Sequence, residues 1–233
     1  MTGFETVIEK LKGGLVVSCQ ARPGNPLRGA RYMAAFAEAA QLAGAVGIRA
    51  NGVDDIRAIR KRISIPIIGI NKQGRGRWPV YITPTPRAAA AIVRAGADLV
   101  AIDATHRRRR GGASPEEMIE YIHDELKVPV MADIDCLEEG IAAAGAGADL
   151  VATTMAGYTP AREMTIGPDL ELVSDLVAHL DCPVVCEGRV RAPADLRAAF
   201  QAGAYAVVVG TAITNPTAIT ESFISELSDN EVN

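Results

Sequence analysis

Short apolar runs recur along the chain in two alternating flavours. One flavour follows a Gly-Ala pair: Gly44-Ala45 precedes the run at 46–48, Gly96-Ala97 that at 99–102, Gly147-Ala148 that at 150–152, and Gly203-Ala204 that at 206–209. The other opens with proline: Pro66 before 67–70, Pro129 before 130–131 and Pro183 before 184–185, with 15–17 after Gly13-Gly14 as its proline-less first member. The runs are nearly unbroken, as parallel strands covered on both faces require. Helical segments separate them. Eight strands alternating with helices is the arithmetic of a closed (β/α)8 TIM barrel, and the fourfold echo implies stacked quarter-barrels. An open doubly wound sheet is the second option, but no strand is followed by the GxGxxG fingerprint it would carry.

The pattern places strands at 15–20, 45–49, 67–72, 99–103, 130–133, 150–153, 184–187 and 206–209. It places a short opening helix at 6–11 and further helices at 27–42, 53–61, 86–95, 115–126, 137–144, 169–180, 193–202 and 216–227. Ser114-Pro115-Glu116-Glu117 is a clear helix start, with a capping hydroxyl, a first-turn proline and acids at the positive end of the dipole. The connections 73–85 and 154–168 are too long for plain connectors and read as lids over the mouth. No linker or compositional break divides the chain, so 1–233 reads as one domain with a frayed polar tail at 228–233.

Composition narrows the function classes. With 48% hydrophobic and 22% charged residues, the chain has the make-up of a soluble enzyme. A net charge of −4 argues against nucleic acid as a partner. No apolar run approaches the roughly 18 residues of a membrane span, and the first residues carry no signal-peptide pattern. The four cysteines, Cys19, Cys136, Cys182 and Cys186, form no CxxC pair and no zinc spacing, which points to reduced thiols in the cytoplasm. One basic cluster, His106-Arg107-Arg108-Arg109-Arg110, follows the fourth strand and so sits on the active face. It is expected to be mostly solvated, with one or two arginines turned to the mouth.

A barrel keeps its chemistry at the C-terminal ends of its strands. Those ends are Gln20, Arg49, Lys72, Asp103, Asp133, Thr153/Thr154, Glu187 and Gly210. Lys72 leaves a buried strand near the mouth, where desolvation and cations such as Arg49 would lower its pKa and let it accept a proton. A surface lysine that merely begins a loop fits that position equally well. Glu187, four strands on, stands on the opposite wall, and two such groups suit proton transfers on either side of one carbon. A structural ion pair with Arg189 or Lys72 is the plainer alternative. Glu187-Gly188-Arg189 and Gly210-Thr211 occupy the phosphate corner of barrels, making Gly188, Arg189, Gly210 and Thr211 the candidate phosphate contacts. Asp103 and Asp133 could share a divalent metal, but no histidine cluster accompanies them, so no metal and no cofactor is expected.

Several stretches together resemble the N-acetylmannosamine-6-phosphate 2-epimerase family. They are Ser18-Cys19-Gln20-Ala21, Gly47-Ile48-Arg49-Ala50, Gly69-Ile70-Asn71-Lys72, the run 80–85, Ala132-Asp133-Ile134, Gly157-Tyr158-Thr159 and Glu187-Gly188-Arg189. The resemblance covers essentially the whole chain in order. It implies conversion of N-acetylmannosamine 6-phosphate to N-acetylglucosamine 6-phosphate in sialic-acid or amino-sugar catabolism. Lys72 then matches the catalytic lysine and Glu187 the catalytic glutamate. Gln20, Arg49 and Asp133 match substrate-contacting or supporting positions, and Thr153 joins them from the rim. The resemblance and an apolar last helix imply a homodimer. One departure stands out: Ala212-Ile213-Thr214-Asn215-Pro216 has Asn215 where the family usually has arginine, and Arg189 or the 107–110 cluster is the candidate source of that charge. Another phosphosugar isomerase, an imine-forming aldolase using Lys72, or a non-catalytic phosphosugar-binding barrel are the alternatives.

Overall fold

Eight parallel strands pair in chain order and close into a ring: β1 (Leu15–Cys19), β2 (Gly47–Asn51), β3 (Ile67–Ile70), β4 (Leu99–Asp103), β5 (Val130–Asp133), β6 (Leu150–Ala152), β7 (Val184–Glu187) and β8 (Ala206–Val209). β8 returns to β1 through Leu15↔Val207, Val16↔Val208 and Val17↔Val209. This computed structural model describes residues 3–74, 76 and 78–228. Around the ring stand α2 (Ala30–Leu42), α3 (Val53–Arg60), α4 (Pro86–Ala95), α5 (Pro115–Tyr121), α6 (Leu137–Gly145), α7 (Leu170–His179) and α8 (Pro193–Gln201). α1 (Gly3–Glu9) precedes β1, and α9 (Thr211–Thr214) and α10 (Pro216–Ser228) follow β8. The expected closed (β/α)8 barrel is therefore present, and the open sheet is not. The tail at 229–233 lies outside the described residues.

The fourfold echo has a physical basis. All four Gly-Ala pairs are helix-to-strand turns in which the glycine takes φ between 95° and 110°, a backbone region that side chains with a Cβ avoid. In each, the alanine N–H donates to the carbonyl five residues earlier, at 2.9–3.1 Å: Ala45 to Ala40, Ala97 to Ile92, Ala148 to Ala143 and Ala204 to Ala199. The proline flavour is equally regular. The carbonyls of Pro66, Pro129 and Pro183 accept from Ile48, Val100 and Val151, and Gly14, in the proline-less quarter, accepts from Val207, all at 2.9–3.2 Å.

Several boundaries move for local reasons. The second strand lies at Gly47–Asn51, two residues later than expected. α2 starts at Ala30 instead of 27 because Asn25 Oδ1 takes the Leu27 N–H at 2.8 Å and holds a turn there. α7 starts after Asp169, whose carboxylate caps the Leu172 N–H at 3.0 Å. Lysine 127 ends a wider π turn, Ile122–Leu126, that finishes the helix expected as one piece to 126. β3 stops at Ile70, and Lys72 leaves the sheet to pair antiparallel with Ile82.

Two apolar cores result. The outer one lies between the sheet and the helices. The inner one fills the barrel with Val16, Ile68, Ile70, Leu99, Ala101, Met131, Leu150, Ala152, Val185, Ala206 and Val208, and Leu11 after α1 joins it as a plug at the N-terminal end. Along every strand but β2, alternate residues belong to this inner set; on β2 that parity falls on Gly47, where a Cβ would run into the Leu11 side chain at 2.7 Å, and on Arg49. Among the described residues no helix is long and apolar enough to cross a membrane.

Candidate active site

Extending the inner register one step beyond the apolar layer reaches Ser18 and Gln20, Arg49, Lys72, Asp103, Asp133, Thr154, Glu187 and Gly210. The alternation that buries the core thus lifts a polar layer onto it at the C-terminal mouth.

Arg49 is the hub of that layer. Its side chain is 1% exposed, and its Nη1 and Nη2 donate to the two oxygens of Asp133 at 2.9 and 2.6 Å. Nη1 also donates to Glu187 Oε2 at 2.5 Å. Thr154 Oγ1 donates to Asp133 Oδ1 at 2.6 Å and completes the network. Burial opposes the Arg49 charge, but the two carboxylates more than offset it and hold the guanidinium firmly protonated. Burial raises the Glu187 pKa above the usual carboxylate range; Arg49 works against that rise and Asp133 adds to it.

Lys72 is held more lightly. Its Nζ donates to Gln20 Oε1 at 2.7 Å, and Gln20 Nε2 donates to Ser18 Oγ at 2.8 Å. The side chain meets solvent through the open mouth. Crowding by protein around the amine, then the positive charge of Arg49, bring its pKa down to about 8, against the opposing pull of Glu187 and Asp133. Water at the mouth moderates that pull. The charges of Lys72 and Glu187 act on one another: the carboxylate raises the amine's pKa and the amine lowers the carboxyl's.

The remaining expected contacts divide. Thr153 is not brought to the mouth: it is 2% exposed, and its hydroxyl donates to the Glu187 carbonyl at 3.0 Å and accepts the Glu187 N–H at 3.1 Å. It therefore holds the strand that carries the acid, and its neighbour Thr154 takes the inward place. Gly188, at φ 118°, and Gly210 end β7 and β8 side by side, and Thr211 opens α9, where the first helical N–H groups have no intrahelical partner. Arg189 follows at φ 58°, but its guanidinium is occupied: Nε donates to Gly167 O at 3.0 Å, Nη1 to Ala156 O at 2.8 Å and Nη2 to Thr165 Oγ1 at 3.0 Å. It straps the 154–168 connection to the rim.

The basic cluster is similarly committed. Arg107 pairs with buried Asp103 at 2.7 Å, Arg109 is 5% exposed and donates to Thr105 O at 2.7 Å, and Arg108 stacks over Trp78. Asn215 caps α10 by accepting the Ala218 N–H at 3.3 Å, and also accepts from Asn25 Nδ2 at 3.3 Å. Arg22, two residues after Gln20, was not among the sequence candidates, yet its charge reaches Lys72. Asn51 was also passed over; its Oδ1 takes the Lys72 N–H at 2.8 Å. Strand parity alone would have favoured Thr154 and Asn51, while nothing local marks Arg22. Asp103 and Asp133 are adjacent in register but each is bound to its own arginine. Among the described residues no group of three or more His, Cys, Asp or Glu is arranged to hold a metal.

Comparison with known proteins bears on this site. Residues 33–229 match the model of the family described as "Putative N-acetylmannosamine-6-phosphate epimerase". A Cutibacterium acnes protein named "Putative N-acetylmannosamine-6-phosphate 2-epimerase" is 50% identical over 226 residues, 96% of this chain and 98% of that protein. One of the same name from Caldanaerobacter subterraneus subsp. tengcongensis is 46% identical over 224 residues, 96% of this chain and 94% of that one. The solved N-acetylmannosamine-6-phosphate 2-epimerase from Clostridium perfringens is similar with a TM-score of 0.90 at 41% identity, covering 94% of this chain and 95% of that one. A Pyrococcus furiosus thiamine phosphate pyrophosphorylase, at 16% identity and a TM-score of 0.62, shares the fold alone.

Proposed function

The chain belongs to the N-acetylmannosamine-6-phosphate 2-epimerase family and has that activity on a phosphosugar; we propose that Lys72 and Glu187 carry the chemistry, without metal or cofactor. The observation that supports this most is the presence at the barrel mouth of a lightly held amine, its pKa brought down to about 8, and of a largely covered carboxylate raised above its usual range. The C2 hydrogen becomes acidic only beside the free C1 aldehyde, so the ring must open first. Glu187, with Asp133 acting behind it through Arg49, moves the protons on the ring and hemiacetal oxygens. Neutral Lys72 then takes the C2 proton, leaving the electron pair as an enolate spread over C2, C1 and the C1 oxygen. Cations and N–H donors of the mouth stabilise that charge, and return of a proton to the other face of C2 gives the epimer. Gln20, Arg49 and Asp133 orient the sugar, Thr153 and Thr154 steady the acid wall, and the turns at Gly188–Arg189 and Gly210–Thr211 receive the phosphate.

Epimerisation of N-acetylmannosamine 6-phosphate in deuterium oxide tests this reading. One solvent deuteron is expected at C2 of the product. Turnover without any label at C2 would sink the proton-exchange route.

The substrate is read as a phosphorylated N-acetyl amino sugar, and the protein as one domain working in a reducing cytoplasm, where its four free thiols are at home. A second copy of the chain is the partner: Phe223, Ile224 and Leu227 on α10 are 73%, 55% and 66% exposed, an apolar stripe of the kind that association covers. Light scattering is expected to return twice the monomer mass; a monomer at high micromolar concentration would remove this assignment.

A further inference from the structure

The segment 80–83 lies between the mouth ends of β3 and β4. Those two strands share only Ile68↔Leu99 and Gly69↔Val100, so their upper ends are free to take another partner. Gln73 N–H donates to Tyr81 O at 2.9 Å on one side, and Asp103 N–H donates to Ile82 O at 3.1 Å on the other. With Lys72 and Ile82 paired antiparallel, the segment works as a wedge that seals the gap just where Lys72 leaves the sheet.

Thr83 ends the wedge. It is 0% exposed and has φ 45°, in the left-handed region that a β-branched residue avoids. Pro84 follows, and the residue before a proline favours extended backbone, so Thr83 is held against two preferences. Backbone held in this way persists only where its surroundings over-determine it. Here they do. Thr83 N–H donates to Asn71 O at 3.1 Å, and Asn71 N–H donates to Thr83 Oγ1 at 3.1 Å. The same hydroxyl donates to Ala101 O on β4 at 2.6 Å. Two bonds thus close a ring on the residue before Lys72, and a third ties that ring to the neighbouring strand. A hydroxyl is needed because it donates and accepts at once.

We propose that Thr83 is a positioning residue for Lys72: its doubly bonded hydroxyl, on a strained backbone, fixes the mouth end of β3 so that the amine reaches inward to Gln20 instead of swinging into solvent. The proposal rests on the reading of Lys72 as the base.

Steady-state kinetics of Thr83→Gly, Thr83→Val and Thr83→Ser test it. Glycine adopts φ 45° freely, so Thr83→Gly removes the hydroxyl without needing strain and serves even if Thr83→Val does not fold. In both hydroxyl-free variants kcat is expected to fall about tenfold or more while KM changes less than about threefold, the split expected when a reacting group is displaced and binding is kept. The rising limb of the kcat–pH profile should also move to higher pH, because an amine released into water regains its ordinary pKa. Thr83→Ser should recover most of the lost rate. A folded Thr83→Gly with the parent kcat and pH limb overturns the proposal, as does a change confined to KM. Lys72→Ala run beside them separates the two failures. If it still exchanges the C2 hydrogen, the reading of Lys72 falls and takes Thr83 with it; if it is inert while Thr83→Gly is normal, only the role of Thr83 falls.

Discussion

The β3 wall and the β7 wall of the mouth are built in opposite ways. On β7, Glu187 is 13% exposed, bound to a guanidinium that also grips Asp133, with Thr153 closing two bonds on its backbone. Beside β3, the Lys72 side chain has one hydrogen bond among the described residues, to Gln20, and open access to water. What is fixed there is the backbone, through Asn51, Thr83 and the 80–83 wedge. The carboxylate is held by charge, and the amine by the hydrogen-bonded backbone that carries it. That division suits the proposed chemistry. A base must keep its lone pair free and turn toward a carbon, whereas a carboxylate that handles oxygen-bound protons gains from fixed dipoles that need no rearrangement.

The comparison can be broken at either wall. Lys72→Ala should have the largest effect on rate, lowering kcat by about 10²–10⁴-fold, as removal of a general base does. Its thermal stability should stay within about 1 kcal/mol of the parent, because a lightly held side chain supports little else. A large loss of stability there would mean that the two walls are held alike. Arg49→Met should act the other way. It leaves Asp133 and Glu187 buried without their cation, at a cost of about 3–5 kcal/mol in unfolding free energy measured in urea. An unchanged midpoint would show that the buried network is not the brace of the β7 wall. The smallest test changes no residue. Only the neutral amine accepts a proton, so kcat should rise with pH while Lys72 loses its proton and level off above about 8. A flat profile from pH 6 to 9 would exclude Lys72 as the base.

Reading strand ends reaches Gln20, Arg49, Lys72, Asp133 and Glu187, which lie in the polar layer at the mouth, because each terminates a run whose apolar character is itself local information. The same reading leaves Thr153 and Thr154 side by side at the end of the sixth strand, and Thr153 is the one assigned to substrate; Thr154 faces inward, since β6 is three residues long and the rim begins at once with a 3-10 turn, Thr153–Met155. It makes the turn at Arg189 an anion contact, but nothing near residue 189 in sequence reveals that the guanidinium itself is taken by the carbonyls of Ala156 and Gly167. Thr83 was invisible for the same reason: an ordinary threonine in a run of six residues gives no sign of a left-handed backbone.

The one-dimensional pattern was enough for the strand count, the ring order and most of the rim, because hydrophobic period, Gly-Ala turns and strand-opening prolines act over a few residues. Closure of the ring decided the rest. Arg49 meets Asp133 across 84 residues of chain and Glu187 across 138. Which charges neutralise one another, which amine is left unpaired by a carboxylate and which backbone is strained are set by proximity in space, and only the closed barrel brings those groups within hydrogen-bonding range.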